Sequence, residues 1–222
     1  MIELVILDVD GTITDQNRII STKAIESIRA AEQNGTVVSL ISGNVIPVMY
    51  ALKIFLGING PVFAENGGVE FNTDITPFFT IDEPMRFYKK LLELNLCEGI
   101  LTNAWRYCSV GYFPKDEKVD QIYELSKGYN VELTDSGFSW HILNRGQNKG
   151  YAIRKLIEEF SLSPDKILVC GDSLNDIPMF SLPVKKAVPN NARQELKSMA
   201  NYISQKDHGD GIADILSRIS SF

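Results

Sequence analysis

Two hydrophobic periods alternate along the chain. Leu4 to Leu7 is a continuous apolar run, the pattern of a strand buried on both faces of a parallel sheet. After Ser21 or Thr22, which predicts a helix cap, Ile25, Ile28 and Ala31 recur at helical spacing, and Asn34-Gly35 ends the helix. Thr36 to Ile41 is a second β-rich run. A helix follows from about Ile46, with Pro47 in its first turn and Gly57 past its end. Strand, helix, strand, helix predicts parallel strands joined by right-handed crossovers. Val62-Phe63-Ala64 then turns through Glu65-Asn66-Gly67-Gly68 into Val69-Glu70-Phe71, the pattern of a hairpin.

The rhythm changes from about Asp82. Pro84 to Leu94 and Val119 to Lys127 read as helices. Ser109 to Tyr112, Val131 to Leu133 and Ser139 to Leu143 read as short strands, the last two joined by Asp135-Ser136-Gly137. This predicts an α+β unit, residues 83–147, inserted into an α/β core made of residues 1–82 and 148–222. The α/β rhythm returns at Lys149. Ala152, Ile153, Leu156, Ile157 and Phe160 form a helical stripe, and Lys166 to Cys170 is another buried strand. Strands at Ala187-Val188 and Tyr202-Ile203, a helix from Ala192 to Met199 and a final helix carrying Ile212, Ile215, Leu216 and Ile219 complete the chain.

Composition narrows the function. The formal net charge of −6 over 222 residues weighs against nucleic acid, whose binding rests on neutralising phosphates. Cys97, Cys108 and Cys170 form no CxxC pair, which points to a reducing compartment. There is no apolar run long enough to span a membrane and no basic, signal-like start, so a cytoplasmic protein is expected.

The chemistry sits at the predicted strand ends. Asp8 and Asp10 follow the first strand, Ser42 the second, and Asp172 and Asp176 a later one; Lys149 opens the helix after the insertion. In an open parallel sheet these ends share one edge, where ligands bind. Like charges about 4 Å apart repel by roughly 4 kcal/mol at an effective dielectric near 20, so four carboxylates there call for a cation. All-oxygen ligands with room for water and a phosphate favour Mg²⁺ over Ca²⁺. Lys149 is then expected to neutralise a phosphoryl oxygen, with Ser42 and backbone N–H groups near Gly43 and Asp10 donating to the others. Asp8 can attack phosphorus. Asp10, expected beside another negative group, can protonate the leaving alcohol and later activate water.

Each residue alone also has an ordinary reading: Asp8 and Asp10 as turn residues, Ser42 as a helix cap, Lys149 as a solvated lysine, Asp172 and Asp176 as a helix start. Their joint placement at strand ends favours chemistry. An EF-hand is excluded by Ile13 at its glycine position. His141 reads as structural, Trp105 and Trp140 as packing residues. Arg106 and Arg145 are either solvated or meet a substrate carboxylate from the insertion.

Asp8-Val9-Asp10-Gly11-Thr12, Ser42-Gly43-Asn44, Lys149 and Gly171-Asp172-Ser173-Leu174-Asn175-Asp176 resemble, in order, the four motifs of the haloacid dehalogenase superfamily. The insertion between the second and third motifs resembles the cap of its Cof-like phosphatase branch. The resemblance implies a Rossmann-like parallel-sheet core with an inserted α+β cap domain. It implies Mg²⁺-dependent hydrolysis of a small phosphomonoester through an aspartyl phosphate, with 2-phosphoglycolate the leading substrate. Asp8 would be nucleophile and metal ligand. Asp10 would be general acid/base and bind metal through its carbonyl oxygen. Ser42, Gly43, Lys149 and Asn175 would hold the phosphate, while Asp172 binds the metal and Asp176 binds or supports it. Alternatives are a sugar-phosphate phosphatase, a phosphosugar mutase or, more distantly, a receiver-type phospho-acceptor domain. No nucleic-acid or membrane partner is expected, and a monomer or homodimer is. Hinges for cap opening are expected near Asp82-Glu83 and Gly146-Asn148.

Overall fold

A computed structural model of the chain describes residues 1–136 and 139–222. β1 (Leu4–Asp8), α1 (Thr22–Gln33), β2 (Val37–Ile41) and α2 (Ile46–Leu56) follow the predicted order. All five residues of β1 are buried, as a continuous apolar run requires when both sheet faces are covered. α1 buries Ala24, Ile28 and Ala31 and leaves Ile25 at the edge of the core. Gly57 ends α2 at φ +77°, a left-handed position that favours glycine.

β3 (Val62–Ala64) and β4 (Val69–Phe71) form the predicted antiparallel hairpin. β5 (Ile75–Pro77) adds an edge strand that the pattern did not foretell. Its three residues are exposed and one is proline, so there is no alternation to read.

α3 (Asp82–Glu93), β6 (Cys97–Gly99), β7 (Val110–Pro114), α4 (Val119–Ser126), β8 (Val131–Asp135) and β9 (Trp140–Asn144) come next. Their strands make a four-stranded antiparallel sheet in the order β6-β7-β9-β8. Phe87 and Leu91 of α3 and Ile122 of α4 pack on Val110, Tyr112 and Ile142, a hydrophobic cluster of its own. β6 escaped the sequence reading because Glu98 and Gly99 carry no strand pattern; pairing with β7 supplies it. Trp105 does not pack as expected: it lies in a short 3₁₀ segment and is 47% exposed. Trp140 does pack, beside Tyr112 and Tyr123. The expected turn at Asp135-Ser136-Gly137 includes Gly137, which lies outside the described residues.

α5 (Lys149–Phe160), β10 (Ile167–Cys170), α6 (Ile177–Phe180), β11 (Lys185–Val188), α7 (Gln194–Met199), β12 (Tyr202–Ile203) and α8 (His208–Ser217) return to the first sheet. That sheet has the order β12-β11-β10-β1-β2-β3-β4-β5 and is parallel from β12 to β3. Val5, Leu7, Val38 and Leu40 face Ile28 of α1, Met49 of α2 and Ile212 of α8. Leu4, Ile6, Ile41 and Val169 face the opposite way, with Ile153 of α5, Met179 of α6 and Leu196 of α7. The Ser21 hydroxyl makes no cap bond to α1. It donates instead to Asp210 Oδ1 of α8 at 2.7 Å, a charged and therefore stronger acceptor.

β1 is central, with β2 on one side and β10 on the other. This is the point where strand order reverses and where open α/β sheets bind ligands. The register sets Asp8 level with Ile41 and Leu7 level with Cys170. Asp8, Ser42 and the Gly171-Asp172 turn therefore leave the sheet side by side. Among the described residues, no helix is long and apolar enough to cross a membrane.

Candidate active site

Asp8 is buried at the end of β1. Lys149, the first residue of α5, is buried too, and its Nζ donates to Asp8 Oδ1 at 2.5 Å and to Asp176 Oδ1 at 2.6 Å. The aim of Lys149 is set by a helix cap: Asn148 Oδ1 accepts from Tyr151 N at 3.0 Å. Asp176 Oδ2 accepts from the backbone N–H groups of Asp172 (2.9 Å) and Ser173 (3.0 Å), which ties the turn after β10. The Thr12 hydroxyl donates to Asp172 Oδ1 at 2.9 Å. Gly11 admits that carboxylate. It sits at φ +86°, and a Cβ there would lie 2.5 Å from Asp172 Oδ2.

Carboxylate oxygens of Asp8, Asp172 and Asp176 lie within 4.8 Å of one another. Burial raises the Asp8 pKa well above the usual carboxylate range; Lys149 opposes this, and Asp176 and Asp172 reinforce it. Burial, then repulsion from Asp176, pushes Asp172 up to about 6. Burial by itself would lower Lys149, but Asp176 and Asp8 reverse the effect and hold it above its ordinary value. Three carboxylates face one ammonium, so when all are ionised two negative charges remain uncompensated. A hard divalent cation fits that charge, and an all-oxygen donor set fits its chemistry.

The Lys149 ammonium bridges two carboxylates and also borders a neighbouring cleft with Leu174 and Asn175. Asp10 differs from its expected setting. The negative neighbour expected beside its carboxylate is replaced by cationic and polar donors: Arg18 Nε at 2.9 Å, Asn44 Nδ2 at 2.6 Å and the Ser42 hydroxyl at 3.2 Å. Ser42 in turn accepts from Asn44 N at 3.1 Å.

A cavity of about 190 Å³ opens in front of these groups. Asp8, Asp10, Ser42, Gly43, Asn44 and Asn175 form part of its wall. Arg106, Ser136, Ser139 and His141, all from the 83–147 segment, form another part. Seven of the eight expected site residues thus surround either the cavity or the acidic cluster directly, and Lys149 reaches both through Asp8. His141 was read as structural, yet it lines the cavity. Burial, then the charges of Arg106 and Lys149, lower its pKa to about 3. Arg145 is exposed and absent from the cavity wall.

The sequence reading passed over Glu65 and Asn66. Both are buried and both adopt left-handed backbone (φ +53° and +56°), an uncommon conformation for non-glycine residues that is enriched at functional sites. Glu65 Oε1 accepts from Tyr107 N (2.7 Å). Its Oε2 accepts from Cys108 N (3.1 Å), Ser109 N (2.9 Å) and the Ser109 hydroxyl (2.7 Å). The turn residues Glu65-Asn66-Gly67-Gly68 signalled a hairpin, but only the fold shows what their side chains reach.

The chain belongs to the haloacid dehalogenase-like hydrolase family, whose model matches residues 5–77 and 85–216. It is 50% identical over 217 residues to a phosphoglycolate phosphatase of Thermoplasma acidophilum, covering 97% of each chain. It is 46% identical over 222 residues to the Thermoplasma volcanium phosphoglycolate phosphatase, covering 99% of each. A crystal structure of a Thermoplasma acidophilum protein superposes with a TM-score of 0.96 at 48% identity, covering all of both chains.

Proposed function

We propose that the protein is a Mg²⁺-dependent phosphatase that hydrolyses 2-phosphoglycolate to glycolate and phosphate. One observation carries this reading: Asp8 belongs at once to the acidic cluster and to the cavity wall. The phosphoglycolate phosphatases to which the chain is similar support the substrate. Residues 1–82 and 148–222 act as catalytic core and residues 83–147 as cap, a division supported by the second sheet and its separate hydrophobic cluster.

Asp8, Asp172 and Asp176 would hold the ion, with the carbonyl oxygen of Asp10. When bound, Mg²⁺ supplies charge neutralisation for the carboxylates and for the phosphoryl oxygens. Asp8 forms an O–P bond as the ester P–O bond breaks, and Asp10 gives its proton to the leaving alkoxide. Water then attacks phosphorus, Asp10 takes the proton back, and phosphate leaves Asp8. Ser42, Gly43, Lys149 and Asn175 hold the phosphate, a reading supported by the place of Ser42, Gly43 and Asn175 on the cavity wall that Asp8 shares and by the bond from Lys149 to Asp8. Lys149 keeps Asp8 oriented. Arg18 and Asn44 aim Asp10 at the cavity mouth. Three buried free thiols support a reducing, cytoplasmic setting, and a monomer or homodimer suffices because the site is built within one chain.

Phosphate release from a panel of small monoesters, scored by kcat/KM, tests the substrate. A phosphosugar preferred over 2-phosphoglycolate would transfer the assignment to a sugar phosphatase, and a single phosphate per protein would indicate a receiver. Asp8→Asn is expected to lower kcat by on the order of 10³-fold or more while melting cooperatively. An active Asp8→Asn enzyme ends the nucleophile assignment. Chelation is expected to abolish turnover and Mg²⁺ to restore it.

A further inference from the structure

We propose that Arg106 is the specificity residue of this cavity, its guanidinium receiving the carboxylate at the far end of a short phosphorylated acid. The proposal rests on the phosphatase reading for the other end of the ligand. Arg106 lies on the cavity wall with much of its surface covered. Its Nη1 donates to the Ser109 hydroxyl at 2.9 Å. Its Nη2 meets the Gly43 carbonyl only at 3.4 Å, the long limit of a hydrogen bond, and its buried Nε has no partner among the described residues. A guanidinium carries five N–H donors in a fixed fork, so donor capacity remains for a planar carboxylate.

The charge is also unpaired. Among the described residues no carboxylate lies within ion-pair distance of Arg106. Glu65 is the nearby anion, but its oxygens already serve Tyr107, Cys108 and Ser109. Those bonds hold the residues immediately after Arg106, so the guanidinium is positioned before a ligand arrives. The buried Nε is the costly donor, and a ligand carboxylate can complete it.

The neighbours suit the same ligand. His141 shares the wall, and its buried Nδ1 has no partner among the described residues. Burial and the Arg106 charge keep its ring neutral at physiological pH, so it can hydrogen-bond the acid without adding charge. The guanidinium meets the carbonyl of Gly43, one residue past Ser42, so the group expected at the phosphate and the cation line the same cavity close to one another. That closeness favours a short acid over a long one. Arg145, the other cationic candidate, is exposed and away from the cavity.

Calorimetric binding in Mg²⁺ tests the assignment without turnover. The probes are 3-phosphonopropionate, in which a methylene replaces the ester oxygen of 2-phosphoglycolate, and propylphosphonate, in which a methyl replaces the carboxylate. Wild type is expected to bind the acid at least about tenfold tighter. Arg106→Gln should erase that preference and leave propylphosphonate affinity within about threefold. Arg106→Lys, which keeps the charge but loses the fork, should retain part of it. The proposal is overturned if wild type shows no preference or binds neither probe. It is also overturned if Arg106→Gln keeps the preference or weakens both probes equally. Should Arg106→Gln fail to fold, full preference in Arg106→Lys would exclude bidentate recognition. If wild type released phosphate from no monoester, the phosphatase reading would fall while a carboxylate preference in binding still stood.

Discussion

Gly11 does two things at one position. Its φ of +86° suits a residue without a side chain, and the missing Cβ leaves room for the Asp172 carboxylate. Gly35 shares the same φ, but a Cβ there would meet nothing within 4 Å among the described residues. The pair separates backbone strain from close approach. Gly35→Ala is expected to cost about 1 kcal/mol, the strain alone, and Gly11→Ala about 1–3 kcal/mol. For a chain of this size each kcal/mol lowers Tm by about 2–4 °C. Only Gly11→Ala should also weaken Mg²⁺ binding, measured by titrating the metal against Tm. Equal Mg²⁺ affinity in the two variants would show that the contact with Asp172 has no bearing on the ion. Asp172 and Asp176 were legible from the motif that follows β10. The contact made by Gly11 was not, because it joins positions 161 residues apart that only the register of β1 and β10 brings level.

Among the elements, the β3–β4 hairpin has a turn that reaches beyond its own sheet. Glu65 at its tip accepts three backbone N–H groups and a hydroxyl from the segment that enters β7. The adjoining chain is tied in as well: Gln147 Nε2 donates to the Glu65 carbonyl at 2.7 Å, and Asn144 Nδ2 donates to the Cys108 carbonyl at 2.8 Å. The two segments expected as hinges, 82–83 and 146–148, are therefore joined by a third connection through Glu65. Glu65→Gln replaces one acceptor oxygen with a donor and removes the charge. A loss of about 2–3 kcal/mol follows, together with faster hydrogen exchange at Tyr107 to Ser109. Unchanged exchange there would mean that the carboxylate does not hold the segment. The elements themselves show which patterns a sequence can carry. Leu4 to Leu7 announced β1 because burial on both faces demands apolar residues throughout. β5 and β6 announced nothing, since Pro77, Glu98 and Gly99 owe their strand conformation to a neighbour's unpaired edge.

For the whole molecule, the acidic cluster couples stability to pH and metal. Asp8 and Asp172 are raised, chiefly by burial, so their ionisation opposes folding. For a group whose folded pKa exceeds its unfolded value, the stabilising contribution is complete below the unfolded pKa. It is lost as pH rises through the folded one. For Asp172 that window runs from the ordinary carboxylate range up to about 6. The Tm of chelated protein should therefore fall relative to that of Mg²⁺-loaded protein as pH rises through this window. The gap corresponds to about 3 kcal/mol from Asp172. A gap independent of pH would show that the ion does not answer these charges. Taking the difference between the two Tm values cancels the carboxylates elsewhere whose partners lower their pKa, such as Asp214.

Apart from β5 and β6, local pattern determined the strand and helix order, the parallel core and the ends at which Asp8, Ser42, Lys149 and Asp172 stand. Each of these follows from hydrophobic period and turn chemistry, which act over a few residues. Tertiary structure decided who faces whom. It set Lys149 between Asp8 and Asp176, turned Asp10 toward Arg18 and brought Arg106 and His141 to the cavity that Ser42 lines. Partnership across tens of residues depends on register, crossing elements and buried charge, and no window of sequence contains those terms.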